Sequence, residues 1–221
     1  MVVPDRPDYP CPALVERLRA EITDHSGWIG FERWMELALY APGLGYYARG
    51  DRQFGALPAT GSDFVTAPEL SPLFGRALAR QIAQALDATG TREVWEFGGG
   101  SGALAAQLLA ALGERIDRYV IVDLSAALRT RQAETLRAHA DKVTWADRLP
   151  EALEAVVVGN EVLDAMPVAL LHFDGTRWFE RGVAVDDGRF VFADRPTALR
   201  PPLAGQAVPG TTTELQRQAE A

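Results

Sequence analysis

The chain of 221 residues has one cysteine, Cys11, one lysine, Lys142, and three histidines. A lone thiol excludes an internal disulfide and every zinc site that needs paired thiolates. His25, His139 and His172 lie far apart and form no ligand pair at helical spacing, so no metal is expected and each histidine is read as surface or packing. No uninterrupted apolar run approaches the ~20 residues of a membrane helix. The segment from Met1 to Asp8 carries prolines and acids where a secretory signal has a basic patch and an apolar run. The expectation is a soluble, cytoplasmic protein with no membrane partner. Positive charge is scarce as well: 22 Lys and Arg face 30 Asp and Glu, for a formal net charge of -8. No global positive field exists to gather phosphate backbones, which argues against nucleic acid as a general partner.

What is present is enough apolar material for a core, 48% of residues, and a length that suits one domain with embellishments. Leu14, Val15, Leu18 and Ile22 recur at helical spacing over 12–24. Phe31, Trp34, Met35, Ala38 and Leu39 share one face of a second helix over 31–40, a stripe read as core. Residues 43–68 are rich in Gly, Pro, Tyr and Phe without a period, and a loop of that length reads as a lid. Thr66-Ala67-Pro68-Glu69 has the spacing of a capping box ahead of an apolar helical run over 70–86. Capping and ligand contact both remain open for Thr66 and Glu69.

After Gly90 strands and helices alternate. Strand 94–97 leads into a glycine loop over 98–102 and a helix over 103–112 stopped by Gly113. Strand 119–122 follows, then a helix from an N-cap at Ser125 through 140, and strands over 143–145 and 155–158. Apolar strands separated by helices indicate a buried parallel sheet. Beyond Pro167, polar and apolar residues alternate, and the turn dipeptides Asp174-Gly175 and Asp187-Gly188 predict an antiparallel meander over 168–194. Residues 195–210 show no period. The expected class is α/β, organised as an N-terminal helical and lid region (1–90), a Rossmann-like core (91–167) and a β-meander with tail (168–221).

The chemistry is most legible in the loop. Glu96-x-Gly98-x-Gly100-x-Gly102 fits the signature of class I methyltransferases, while Gly98-x-Gly100-x-x-Ala103 also satisfies the dinucleotide fingerprint. Charge separates the two. A dinucleotide brings a pyrophosphate to this turn, whereas S-adenosylmethionine brings a sulfonium and an amino group, so Glu96 repels the first and attracts the second. Asp123, 25 positions after Gly98, is placed to accept hydrogen bonds from a ribose diol. Asp147, after the third strand, is suited to an adenine amino group or to capping a helix. Asn160, Glu161 and Asp164 follow the fourth strand, at the carboxyl edge where such sheets place substrates. Two carboxylates there suit a cationic substrate group or proton removal, with local capping or salt bridging as the structural alternative. The candidate cofactor set is therefore Glu96, Gly98, Gly100, Gly102, Asp123, Asp147 and Asn160, and the candidate catalytic pair is Glu161 and Asp164.

Longer stretches carry a resemblance. Phe31 to Tyr40, Pro42-Gly43-Leu44-Gly45-Tyr46-Tyr47, Asp63 to Gly75, Glu96 to Gly102 and Asn160 to Ala165 run in an order that resembles the MidA-like class I methyltransferases. That family includes the mitochondrial complex I assembly-factor methyltransferases. The resemblance implies S-adenosylmethionine as cofactor and a protein arginine as methyl acceptor. An arginine guanidinium is normally protonated, so a nearby carboxylate would orient it and help relieve its proton. Members of the family look longer, with a further core strand, an Asp-Tyr-Gly-type segment and a carboxyl-terminal region not found here. Four parallel strands are readable where a complete sheet, in the order 3-2-1-4-5-7-6, has seven. An incomplete sheet with 155–158 on its edge is therefore expected, prone to self-association or to completion by a second chain. Two rival readings remain: a catalytically impaired cofactor-binding or interaction module of the same fold, and a nicotinamide-dependent oxidoreductase, which Glu96 opposes.

Overall fold

The computed structural model describes residues 11–48, 66–123 and 126–217. Most of the expected lid and the Ser125 cap lie outside the described residues. By contacts the chain forms two compact units, Met1–Arg49 with Ala165–Ala221, and Gly50–Asp164. These regroup the three segments drawn from the sequence: the first helices belong with the meander, and the helix after residue 71 belongs with the parallel core.

The unit Gly50–Asp164 contains helices α3 (Ala67–Leu70), α4 (Pro72–Thr89), α5 (Ala103–Leu112) and α6 (Ala126–Thr135), and strands β2 (Glu93–Phe97), β3 (Arg118–Val122), β4 (Val143–Ala146) and β5 (Val156–Gly159). All four strands are parallel, in the order β4-β3-β2-β5. Helix α5 buries Leu104, Ala105, Leu108, Leu109 and Leu112, which accounts for its alanine and leucine composition. They pack with Val94, Tyr119 and Ile121 of the sheet and with Ala79, Ile82 and Leu86 of α4 into one core. This is the buried parallel sheet that the strand composition predicts.

Two helices differ from expectation. The apolar run over 70–86 breaks at Ser71, whose extended backbone (φ -159°, ψ 137°) ends α3 and whose hydroxyl accepts the Leu73 N–H at 3.1 Å. Pro72 then opens α4 at the position where a missing N–H costs least. The helix expected to reach residue 140 stops at Thr135, because Leu136 turns inward at 1% exposure and a 3-10 turn, Arg137–His139, follows.

The other unit contains α1 (Pro12–Asp24), β1 (Trp28–Gly30), α2 (Phe31–Tyr40), β6 (Ala169–Phe173), β7 (Trp178–Asp186), β8 (Arg189–Pro196) and β9 (Thr212–Leu215). Its antiparallel sheet joins β1, β7, β6 and β9, with β8 paired to β7. Both turn dipeptides act as predicted. Asp174 accepts the Thr176 and Arg177 N–H groups at 2.7 and 2.9 Å, and these bonds hold its carboxyl below the usual range. Asp187 and Gly188 adopt left-handed φ values of 43° and 71°. The short strands β1 and β9 extend the meander beyond expectation. In α2 the fully buried residue is Leu37, whereas Phe31 and Trp34 are half-buried against two small clusters, so the aromatic stripe is the rim of a core.

Candidate functional site

The glycine loop begins where β2 ends. The Gly98 N–H donates to the Val122 carbonyl at 3.0 Å, tying the turn to the end of β3. Gly98, Gly100 and Gly102 have φ of 64°, 54° and 86°, a region where a side chain costs about 1–2 kcal/mol per residue. Gly102 is the N-cap of α5, so the loop delivers the chain into the N-terminal turn of a helix, where the Ala103 N–H donates back to Ser101 Oγ at 3.3 Å. Gly99, only a spacer in the motif, is required for room: a Cβ there would lie 2.9 Å from Ile121 Cγ2 and 3.2 Å from Gln132 Nε2.

Glu96 lies beneath this loop at 2% exposure and accepts the Tyr119 hydroxyl at 2.9 Å. Burial pushes its carboxyl up to about 7; the Tyr119 bond opposes that rise and the Asp123 charge adds to it. Burial, then Glu96, pushes the Tyr119 phenol well above its ordinary value. Asp123, 8% exposed at the end of β3, accepts from Gln132 Nε2 at 2.8 Å. Arg129 donates to the Asp123 carbonyl at 2.9 and 2.7 Å and to the Ala146 carbonyl at 3.1 Å, joining the ends of β3 and β4.

Asp147 departs from the capping reading of it. Its side chain is 81% exposed and pairs with Arg129 Nη1 at 2.6 Å. No helix lies between β4 and β5 for it to cap.

Asn160 leads into the turn after β5. Glu161 and Asp164 are exposed, and among the described residues neither side chain forms a hydrogen bond or ion pair, so the local salt bridge considered for them is absent there. Glu161 holds a φ of 54°, a strained conformation for a non-glycine residue. Val162 anchors the turn against the loop: its Cγ2 lies 3.1 Å from where a Gly98 Cβ would stand and 3.5 Å from a Gly159 Cβ. The fold thus brings the turn after β5, which carries Glu161 and Asp164, against the first glycine through Val162.

Glu69 resolves in an unexpected direction. Thr66 is the N-cap of α3 but makes no side-chain cap bond, and Glu69 instead accepts from the Ser101 hydroxyl inside the loop. Gln107 of α5 donates to the Pro68 carbonyl at 2.8 Å and accepts the Gly75 N–H at 3.0 Å, pinning α3 and α4 to α5. Sequence reasoning missed Tyr119, Gln132 and Val162. Gln132 carried a signal: it sits between Leu128 and Leu136 at i and i+4 spacing, on the inward face of α6.

A glycine loop at the carboxyl edge of a parallel sheet, with acids ending the first two strands, defines a Rossmann-like cofactor domain. Residues 77–221 match the family described as "Putative S-adenosyl-L-methionine-dependent methyltransferase", and the chain belongs to that family. A crystal structure from Burkholderia thailandensis bound to S-adenosyl-homocysteine is 55% identical, with a TM-score of 0.82 over 94% of this chain and 59% of that one. The architecture is accordingly methyltransferase-like. A mitochondrial protein arginine methyltransferase NDUFAF7 homolog of Caenorhabditis elegans is 29% identical over 79% of this chain and 47% of its own length. Its Danio rerio counterpart is 27% identical over 78% and 48%. The chain spans about half the length of the curated relatives it matches.

Proposed function

We propose that this chain binds S-adenosylmethionine at the glycine loop and serves methyl transfer to a protein arginine. The observation that carries this reading is the loop itself, left-handed at three glycines and bordered by the carboxylates of Glu96, Asp123 and Glu69. Carboxylates so placed oppose a pyrophosphate and suit a phosphate-free cofactor with cationic groups. The residues therefore fit the cofactor. When bound, S-adenosylmethionine supplies a methyl group carried on a sulfonium sulfur.

In this reading Asp123 accepts hydrogen bonds from the ribose diol, and the N-terminal turn of α5 lines the crevice. Glu96, committed to Tyr119, acts from below rather than as a direct contact, adding negative charge as it ionises around pH 7. Glu161 and Asp164 orient the acceptor guanidinium, and one of their carboxylate oxygens takes its proton. Positioning supplies most of the rate. A protein acceptor is supported by the curated relatives, which are named as protein arginine methyltransferases.

Calorimetric titration with S-adenosylmethionine, S-adenosyl-homocysteine and NAD tests the cofactor. Binding of the first two in preference to NAD is expected; equal or tighter NAD binding overturns the reading. Labelled methyl groups should then appear on protein arginine, and label confined to a small molecule or nucleic acid refutes the acceptor. Binding without any transfer identifies a cofactor-binding module instead. We also propose self-association at β5: among the described residues it pairs only with β2, and Val157 is 52% exposed. Size-exclusion chromatography with light scattering tests it, and a monodisperse monomer overturns it.

A further inference from the structure

A buried amide joins the parts of this site. Gln132, on α6, is 0% exposed. Its Nε2 donates to the Gly100 carbonyl at 3.0 Å and to Asp123 Oδ2 at 2.8 Å, while its Oε1 accepts from Trp145 Nε1 at 2.8 Å. The orientation of the amide follows from chemistry alone. An indole N–H only donates, and a carbonyl only accepts, so the oxygen must face Trp145 of β4 and the nitrogen must face the loop. Both amide hydrogens are used.

Three separate segments thus meet at one side chain: the middle of the glycine loop, the end of β3 and the end of β4. Gly99 leaves the space for it, since a Cβ there would come within 3.2 Å of Gln132 Nε2. On packing grounds this inward position of α6 suits a leucine, as at Leu136 one turn later. A buried amide is costly unless every polar atom is bonded, and here every one is. We propose that Gln132 is a positioning residue for the cofactor site, setting the Asp123 carboxylate and the Gly100 backbone in a fixed mutual relation. The proposal rests on the cofactor reading above.

Two variants separate positioning from a merely structural tie. Gln132→Met keeps the volume and removes all three bonds. Gln132→Glu keeps the shape and the acceptor for Trp145, but loses both donors when ionised and regains one toward Asp123 when protonated. Affinity for S-adenosyl-homocysteine is measured by calorimetry from pH 8 to pH 5.5, well below the melting temperature, as a ratio to wild type at each pH. The ratio to wild type discounts the titration of Glu96, which is coupled to this site through Asp123; the Tyr119 phenol stays protonated across the range, and Arg129 holds the Asp123 carbonyl throughout. Gln132→Met should weaken binding at least tenfold at every pH. Gln132→Glu should be as weak at pH 8 and recover several-fold toward pH 5.5.

Variants that melt earlier yet bind within twofold of wild type, with no recovery at low pH, overturn the proposal. Failure of the wild-type chain to bind S-adenosyl-homocysteine overturns the cofactor reading instead, and this proposal falls with it. Should Gln132→Met not fold, Trp145→Phe removes the indole N–H that orients the amide, together with part of the ring that packs on the core. It should still weaken binding several-fold, and unchanged affinity would overturn the assignment.

Discussion

Glu96 and Asp123 end two adjacent strands, and Glu161 and Asp164 follow a third strand of the same sheet, yet the two pairs are built in opposite ways. The first pair is 2% and 8% exposed and held by Tyr119 and Gln132. The second pair is exposed, on a turn anchored by Val162. A buried carboxylate has to be hydrogen-bonded or protonated, so its position becomes part of the fold. An exposed one keeps its hydration and rotamer freedom, which suits a group that meets an incoming acceptor. One sheet edge therefore carries both a preorganised acid pair and a free one.

The contrast breaks most visibly under pH. The Glu96 carboxyl is raised from 4.5 to about 7 by burial, so the folded state favours its protonated form. Its contribution is fully present below pH 4.5 and is lost as pH rises through about 7, a loss of about 3 kcal/mol. Glu96→Gln mimics the protonated carboxyl, and urea unfolding across that window should show this slope in wild type and its disappearance in the variant. Parallel slopes would mean that Glu96 ionises as freely in the fold as outside it.

Next in size, Asp123→Ala should weaken S-adenosyl-homocysteine by about 1–3 kcal/mol, the scale for stranding hydrogen-bonding groups. An unchanged dissociation constant would remove Asp123 from the ribose. For the exposed pair the signs diverge. Glu161→Gly relieves the left-handed backbone and should stabilise the fold by up to about 1 kcal/mol while lowering methyl transfer. A destabilised variant would show that the φ of 54° is not strained. The smallest effect is expected for Asp164→Asn, within about 0.5 kcal/mol on stability and without change in cofactor affinity. Transfer alone should fall, and a loss of cofactor affinity would place Asp164 with the buried pair.

Much of this was readable along the chain because it depends on neighbours in sequence. The glycine loop, the stop at Gly113, the two Asp-Gly turns and the apolar strands are set by backbone preferences and periodicity within a few residues. The break at Ser71 was also local, a serine followed by proline, but the apolar run on either side concealed it. The strands β1 and β9 were hidden for another reason: at three and four residues they are too short to show a period and exist through their partners β7 and β6.

Residue types and short spacings by themselves determined a parallel α/β core, a loop that only glycine can form, and acids at three strand ends. Only the tertiary structure decided which of those acids are buried and what holds them. Glu96 meets a hydroxyl 23 positions away, Ser101 a carboxylate 32 positions away, and Gln132 a carbonyl 32 positions away. Burial and hydrogen bonding depend on groups converging in space, and strand order and helix packing set that convergence at separations where sequence periodicity carries no signal.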